Sequence, residues 1–310
     1  MECIYFDKNS IVWEFPREIQ DSLFFTGNNE MFNIYHKKLK NIYEIVSNSV
    51  NKDNVKLLYN GMPFVEIKKQ YTKGIIFNNL FINTLAEFNA INKKIYLYSG
   101  RLSGSSLNHE LLHLLSSYYD KEKDILYSGF EQTSKSGNMG EAFNEGYTEY
   151  QNGEIFHVNV NDTIYVYEII IIKLLEQVIG KSRMKDLYFH GDLYNFINEL
   201  AKYTNISNIK KMIYKSDYIL RYRRCYFKNH KVKEYLLEMN AFILEIYTNY
   251  LLYLYNNNYI DVCELDLLYS YFINELKNIL DIDLPINKDL LHRNIMDNKV
   301  LYLDKIKKRI

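Results

Sequence analysis

A pair of histidines four positions apart constrains this chain more than any other feature of its sequence. The segment SSLNHELLHLLSSYYD (105–120) contains His109 and His113, with Glu110 directly after the first histidine. At about 100° per residue, a helix over 105–119 would direct both imidazoles to one side, away from its apolar stripe. That stripe consists of Leu107, Leu111, Leu114, Leu115 and Tyr118. The spacing therefore predicts a helix whose histidine face need not belong to the core.

This arrangement suits a metal ion. Residues four apart on a helix have neighbouring side chains, so His109 and His113 can bind one cation. From its position beside them, Glu110 can reach a metal-activated water and accept its proton as general base. A catalytic zinc usually takes three protein ligands, so the motif requires a third ligand elsewhere. One alternative is a helical interaction module in which the motif is a coincidence.

A second acidic segment offers that third ligand. The stretch GNMGEAFNEGYTEY (137–150) is expected to be helical, with Glu141, Glu145 and Glu149 at four-residue intervals on one face. An acidic stripe is often only a solvated helix face. Here small and aromatic residues surround the carboxylates with little other charge. One of the three carboxylates can therefore complete the metal site.

Together the two motifs resemble the gluzincin metallopeptidases, in which H-E-x-x-H is followed by a helix of the N-E-x-x-x-D/E type. Glu145 follows His113 by 32 positions (145 minus 113), a longer interval than in thermolysin. Glu149 stands where thermolysin-like members have Asp. The resemblance implies that His109, His113 and Glu145 are zinc ligands and that Glu110 is the general base. The chain also resembles uncharacterised bacterial zincin-like proteins.

The resemblance implies supporting residues as well. Glu149, one turn beyond Glu145, would orient a ligand histidine, and Asn144 matches the Asn before the ligand in the family. Gluzincins stabilise the oxyanion with a Tyr or His from a later helix. The candidates in this chain are Tyr167, Tyr165, His157 and His190. We favour Tyr167, because it begins a predicted helix just after the ligand helix.

The pattern of apolar residues predicts an α+β fold. Short β-prone runs and a helical pattern at 31–50 fill the first hundred residues, and 80–99 is expected to form a β-hairpin. Helix signals dominate afterwards. The predicted helices lie at 105–119, 138–151, 165–179, 193–203 and 205–215, with several more after 228.

Combined with the resemblance, this pattern implies a zincin-like architecture. A lobe at 1–155 would hold a small mixed sheet and the active-site helix, and a mainly helical lobe at 156–310 would close a cleft. The boundary is placed at FHVNVNDT, near 155–162, which could equally be a loop within one domain.

Composition sets the remaining expectations. Lys plus Arg and Asp plus Glu are each 38, and Cys3, Cys225 and Cys263 lack metal-ligand spacing. We find no secretion signal or membrane span, and the basic run at 221–233 is explained by one exposed helix face. These features predict a cytoplasmic protein that binds neither nucleic acid nor membrane.

The functional prediction is a Zn²⁺-dependent metallopeptidase that acts on a peptide or protein through Glu-assisted attack of a zinc-bound water. The alternative is a catalytically silent zincin-like binding protein with a structural or vestigial metal site.

Overall fold

The computed structural model describes residues 104–120, 123–160, 163–223 and 230–310, together with three strands nearer the N-terminus. The helix predicted at 31–50 lies outside the described residues, as do the β-prone runs before residue 64. The described chain is mostly helical with two small sheets, so the predicted α+β class is confirmed.

The helices follow one another along most of the described chain. They are α1 (Gly104–Leu115), α2 (Glu141–Phe156), α3 (Val166–Ile179), α4 (Lys181–Phe189), α5 (Leu193–Leu200), α6 (Ile206–Tyr222), α7 (His230–Asn256), α8 (Val262–Lys277) and α9 (Lys288–Lys307), with a 3₁₀ turn at Asn278–Asp281. Several begin at a side-chain cap that accepts a hydrogen bond from the first turn. Asp192 caps α5, Asn205 caps α6 and Asp261 caps α8 in this way.

The first sheet precedes the histidine helix. It contains β1 (Phe64–Lys68), β2 (Ala86–Asn89) and β3 (Lys94–Tyr98), in the order β1-β3-β2. Strands β2 and β3 pair antiparallel, with Ala86 opposite Leu97 and Asn89 opposite Lys94, which confirms the hairpin predicted at 80–99. Strand β1 runs parallel to β3, so the sheet is mixed. Helix α1 packs against β2.

The predicted end of the histidine helix is wrong. Helix α1 ends at Leu115, and the chain continues into an antiparallel sheet in the order β4-β5-β6-β7. Its strands are β4 (Ser117–Asp120), β5 (Ile125–Ser128), β6 (Glu131–Ser134) and β7 (Gly137–Met139). The hydroxyls of Ser116, Ser117 and Ser128 all donate to the carbonyl of His113. Because these hydroxyls satisfy a main-chain carbonyl in the last turn, they favour the end of the helix at Leu115.

Other helices also differ from the sequence prediction. Helix α2 spans Glu141–Phe156 instead of 138–151, since β7 occupies Gly137–Met139, and α5 ends at Leu200 instead of 203. Helix α4 was missed, because Gly180 alone separates it from α3 and its apolar residues lie mainly toward its end. Helix α6 continues to Tyr222, beyond the predicted end at 215, since buried Ile219 extends its apolar face.

Helix α2 lies at the centre of the described part of the chain. It packs against α1, α3 and α6, and α7 in turn packs against α6 and α9. One cluster of buried apolar residues extends from Leu111 in α1 to Ile306 in α9, across the segment 155–162. The division into two lobes stays a prediction. Among the described helices, none combines the length and the apolar character needed to cross a bilayer.

Candidate metal centre

Three predicted ligands meet where α1 packs on α2. The Nε2 atoms of His109 and His113 lie 3.0 Å apart. Glu145 Oε2 is 3.1 Å from His109 Nε2, and Glu145 Oε1 is 3.3 Å from His113 Nε2. The three side chains therefore bring donor atoms within 4.8 Å of one another, and each imidazole faces a different carboxylate oxygen of Glu145.

Helix packing buries this cluster more deeply than expected from the histidine pattern. The side chains of His109 and His113 are 9 % and 7 % exposed, and that of Glu145 is 19 % exposed. Both histidines face α2 instead of solvent, while Leu111 and Leu112 are fully buried. Helix α1 is thus covered on its polar side as well as on its apolar side.

Glu149 fixes the orientation of His109. Its Oε2 accepts from His109 Nδ1 at 2.7 Å and from Asn152 Nδ2 at 3.2 Å. Burial alone lowers the pKa of His109, but hydrogen bonds to Glu145 and Glu149 and the charges of Glu145 and Glu110 outweigh it and raise that pKa well above its usual value. Because Glu149 accepts from Nδ1–H, loss of the Nε2 proton would leave the Nε2 lone pair directed at the cluster.

His113 has polar neighbours of its own. Its Nδ1 lies 3.4 Å from Thr148 Oγ1 and 3.2 Å from the Asn144 side-chain amide. Thr148 donates to the carbonyl of Asn144 at 2.7 Å, so its oxygen can accept from His113 Nδ1–H, and it also contacts the Tyr188 hydroxyl at 2.7 Å. Metal binding through His113 Nε2 requires the proton on Nδ1, which Asn144 supports when it presents Oδ1 instead of Nδ2.

Opposing charge keeps the third ligand ionised. Burial raises the pKa of Glu145, but the charge of His113 and the hydrogen bonds from both histidines lower it far below its usual value. Glu110, the predicted general base, lies half-buried on α1. Its charge contributes to the raised pKa of His109 and of Tyr165.

Tyr165, at the start of α3, also contacts the cluster. Its ring stacks on His109 at 5.6 Å between centroids and 9° between planes. Burial, the charge of Glu145 and a hydrogen bond to Glu145 raise the Tyr165 pKa well above its usual value, so the phenol keeps its proton.

The favoured sequence candidate, Tyr167, is directed elsewhere. It is buried in the core, where burial and the charge of Glu168 raise its pKa. His157 is exposed at the end of α2. His190 binds the carbonyl and the side chain of Asp186.

Three further polar neighbours were missed in the sequence analysis. Thr148 and Tyr188 support His113 as described, and Oε2 of Glu131 on β6 lies 3.4 Å from the Asn144 side-chain amide. Burial, together with the charges of Glu141 and Glu145, raises the pKa of Glu131 to about 7. Thr148 lies within the predicted acidic helix, one turn after Asn144, and this spacing was the one available signal.

Comparisons with known proteins leave the site to be interpreted from its own geometry. No protein-family model, no curated protein and no solved structure matches this chain. The gluzincin resemblance therefore rests on the two motifs and on the residues around them.

Proposed function

We propose that this protein is a zinc-dependent metallopeptidase of zincin-like architecture. The observation that carries the proposal is the convergence of His109, His113 and Glu145, whose donor atoms lie within 4.8 Å of one another. Two ligands about 2.0 to 2.1 Å from a tetrahedral zinc are separated by roughly 3.3 Å. The two histidine nitrogens lie 3.0 Å apart and each has an oxygen of Glu145 within 3.3 Å, so the donors are close enough to share one such ion.

The donor set also fits a catalytic zinc better than a structural one. Within the described residues, the group that could hold a metal consists of His109, His113 and Glu145. Structural zinc sites normally use four protein ligands, whereas catalytic sites use three and keep a position for water. A bound zinc would supply Lewis acidity, lowering the pKa of water and polarising a carbonyl group.

The residues around the ligands have distinct roles in this proposal. Glu110 accepts the proton of the attacking water and passes it to the leaving amine. Glu149 holds the proton on His109 Nδ1, which keeps the ring in the tautomer that a metal ligand needs. Tyr165, protonated and in contact with Glu145, donates a hydrogen bond to the developing oxyanion. We thus assign to Tyr165 the role that the sequence assigned to Tyr167.

The proposed substrate is an extended peptide. Strand β2 packs against α1 and lies at one edge of the described three-stranded sheet. A peptide that pairs with such an edge would run alongside the helix that carries Glu110.

The decisive experiment measures zinc content and peptide cleavage together. Purified without a histidine tag, the wild type should hold about one zinc per chain and cleave members of a diverse peptide library. Glu110→Gln keeps the shape of the side chain but cannot accept a proton. It should retain zinc while cleavage falls by about 10² to 10⁴-fold. His109→Ala should lose zinc and activity together.

Each alternative gives a different result. A wild type that binds zinc but cleaves nothing, with Glu110→Gln indistinguishable from it, would favour the silent binding protein. A wild type without affinity for zinc would show that the histidine motif is a coincidence, as in the helical interaction module. Loss of zinc in Glu110→Gln would instead make Glu110 a ligand.

A further inference from the structure

The turn before α3 touches the candidate metal centre at two points. The Tyr165 ring stacks on His109 with 5.6 Å between centroids, and interactions of Tyr165 with Glu145 and of Thr163 with Glu149 contribute to the pKa shifts of Tyr165 and Glu149. Both contacts come from a turn of three residues. Its position therefore decides whether Tyr165 can act on groups bound at the centre.

A buried arginine from another element holds the middle of this turn. Arg223, directly after α6, donates through Nη2 to the carbonyl of Ile164. Its Nη1 lies 2.7 Å from Oε1 of Glu168, in the first turn of α3. The Arg223 and Glu168 side chains are 7 % and 2 % exposed. One planar guanidinium thus binds the turn and the helix that follows it.

The glycine after the third ligand shows how closely α3 approaches α2. A Cβ on Gly146 would lie 2.7 Å from the carbonyl carbon and oxygen of Glu168. The start of α3 therefore contacts α2 one residue after Glu145. A displacement of α3 would change the distance from Tyr165 to Glu145.

Helix α6 also holds the ligand helix, through a separate residue. Asp217 is buried, and it accepts from the main-chain N–H of Gly140 at 2.8 Å and of Ala142 at 2.9 Å. Gly140 provides no side-chain cap for α2, so Asp217 takes that role from a distant part of the chain. Asp217 acts on the helix of Glu145 and Arg223 acts on the turn of Tyr165.

We infer that Arg223 is a positioning residue of the metal centre, which holds Tyr165 against His109 and Glu145. The inference rests on the proposed function for its catalytic consequence, but the contact itself can be tested in the metal-free protein. Removal of Arg223 alone would leave Glu168 buried without its partner, a change that often unfolds proteins. The test variant is therefore Arg223→Met combined with Glu168→Met, which replaces both charges by apolar groups.

The first measurement is amide hydrogen exchange without zinc. The double variant should exchange at least about 10-fold faster at residues 163–169, where the amide of Ile169 bonds the carbonyl of Tyr165, while 141–149 stay protected. Asp217→Asn should show the reverse pattern. Arg183→Met serves as the matched control, since Arg183 is an exposed arginine that pairs with Asp186 and Glu199. It should leave both segments unchanged.

The second measurement is a double-mutant cycle with Tyr165→Phe. If Arg223 acts through Tyr165, the double variant should lower kcat by about 10 to 10²-fold in the wild-type background, with little change in KM. In the Tyr165→Phe background its further effect should be less than about 2-fold. Zinc affinity, measured by chelator competition, should change less than kcat.

The outcomes separate this inference from the proposed function. Unchanged exchange at 163–169 would overturn the positioning role, and so would an equal loss of kcat in both backgrounds. If the wild type cleaves no peptide, the proposed function fails, and hydrogen exchange alone then decides the role of Arg223.

Discussion

The interface of α1 with α2 and the packing around α7 bury side chains of opposite character. Besides His109 and His113, the buried polar residues on the α2 side are Asn144, Thr148, Glu149, Gln151 and Asn152. Helix α7 buries mainly Val232, Leu236, Met239, Ile243, Leu244, Ile246, Tyr247, Leu251 and Leu252, with Asn240 and Thr248 as polar exceptions. Burial of polar groups costs free energy unless each group is hydrogen-bonded. The contrast indicates that apolar burial stabilises the α7 region, whereas the α1–α2 interface buries polar groups that need polar partners.

The largest expected effect is on stability, in the apolar region. Phe272 on α8 is fully buried and stacks on Tyr247 with 3.6 Å between ring centroids. We expect Phe272→Ala to lower the free energy of unfolding by about 3 to 5 kcal/mol in urea titrations. Zinc affinity of the folded variant should stay within about 2-fold of wild type. Tyr271→Ala, at the exposed neighbouring position, should change stability by less than about 0.5 kcal/mol.

Asp217 on α6 allows a pH test of the capped ligand helix. Burial raises the pKa of Asp217 to about 6, against an unfolded value near 3.8. The folded protein therefore binds this proton more tightly than the unfolded chain. This contribution to stability is complete below about pH 4 and is lost as the pH rises to about 6, a change of about 2 to 3 kcal/mol.

Asp217→Asn cannot titrate, so it should lack this pH dependence. The stability of the zinc-free wild type relative to the variant should fall by about 2 to 3 kcal/mol between about pH 3.5 and about pH 6.5. Urea titrations at several pH values measure this difference. A constant difference across the range would show that the carboxyl group keeps an ordinary affinity for its proton.

A smaller effect is expected at Glu149, within the polar interface. Glu149→Ala removes the acceptor of His109 Nδ1–H, so zinc affinity should fall by about 10 to 100-fold while the protein stays folded. Chelator competition measures the affinity and circular dichroism the fold. The matched control is Glu154→Ala on the same helix, where the exposed carboxylate pairs with Lys181. Equal zinc affinities of the two variants would show that Glu149 does not support metal binding.

The smallest expected effect is on zinc affinity, and it is tested by the same Thr→Val substitution in each of the two regions. Thr148→Val keeps the shape of the side chain but removes the hydroxyl next to His113 Nδ1. Because Asn144 remains as a partner, zinc affinity should fall by only about 2 to 10-fold. Thr248→Val, on buried α7, should leave zinc affinity unchanged. Similar losses in both variants would mean that affinity follows general stability instead of the contacts of His113.

Periodicity predicted the helices of the site, and the gluzincin resemblance selected Glu145 as the carboxylate beside the two histidines, but only part of the surroundings was predicted. The strands of 117–139 were missed because they are three or four residues long and because Tyr118 continues the helical pattern of 105–119. Tyr165 and Tyr167 are two positions apart, and their directions depend on how the start of α3 is held. Contacts such as Arg223 with Ile164 join distant segments and leave no local signal in the sequence.

The β4–β7 sheet has a consequence for the order in which the centre can form. His113 and Glu145 lie at the two ends of the segment that contains this sheet, and each of its strands pairs with the next one along the chain. Pairing of successive hairpins closes short loops first and brings the ends together at a small entropic cost. The three donor atoms can thus meet during folding before Tyr165 and Arg223, which come later in the sequence, are in position. Under the proposed function, a newly made chain would acquire the capacity to bind zinc earlier than the capacity for catalysis.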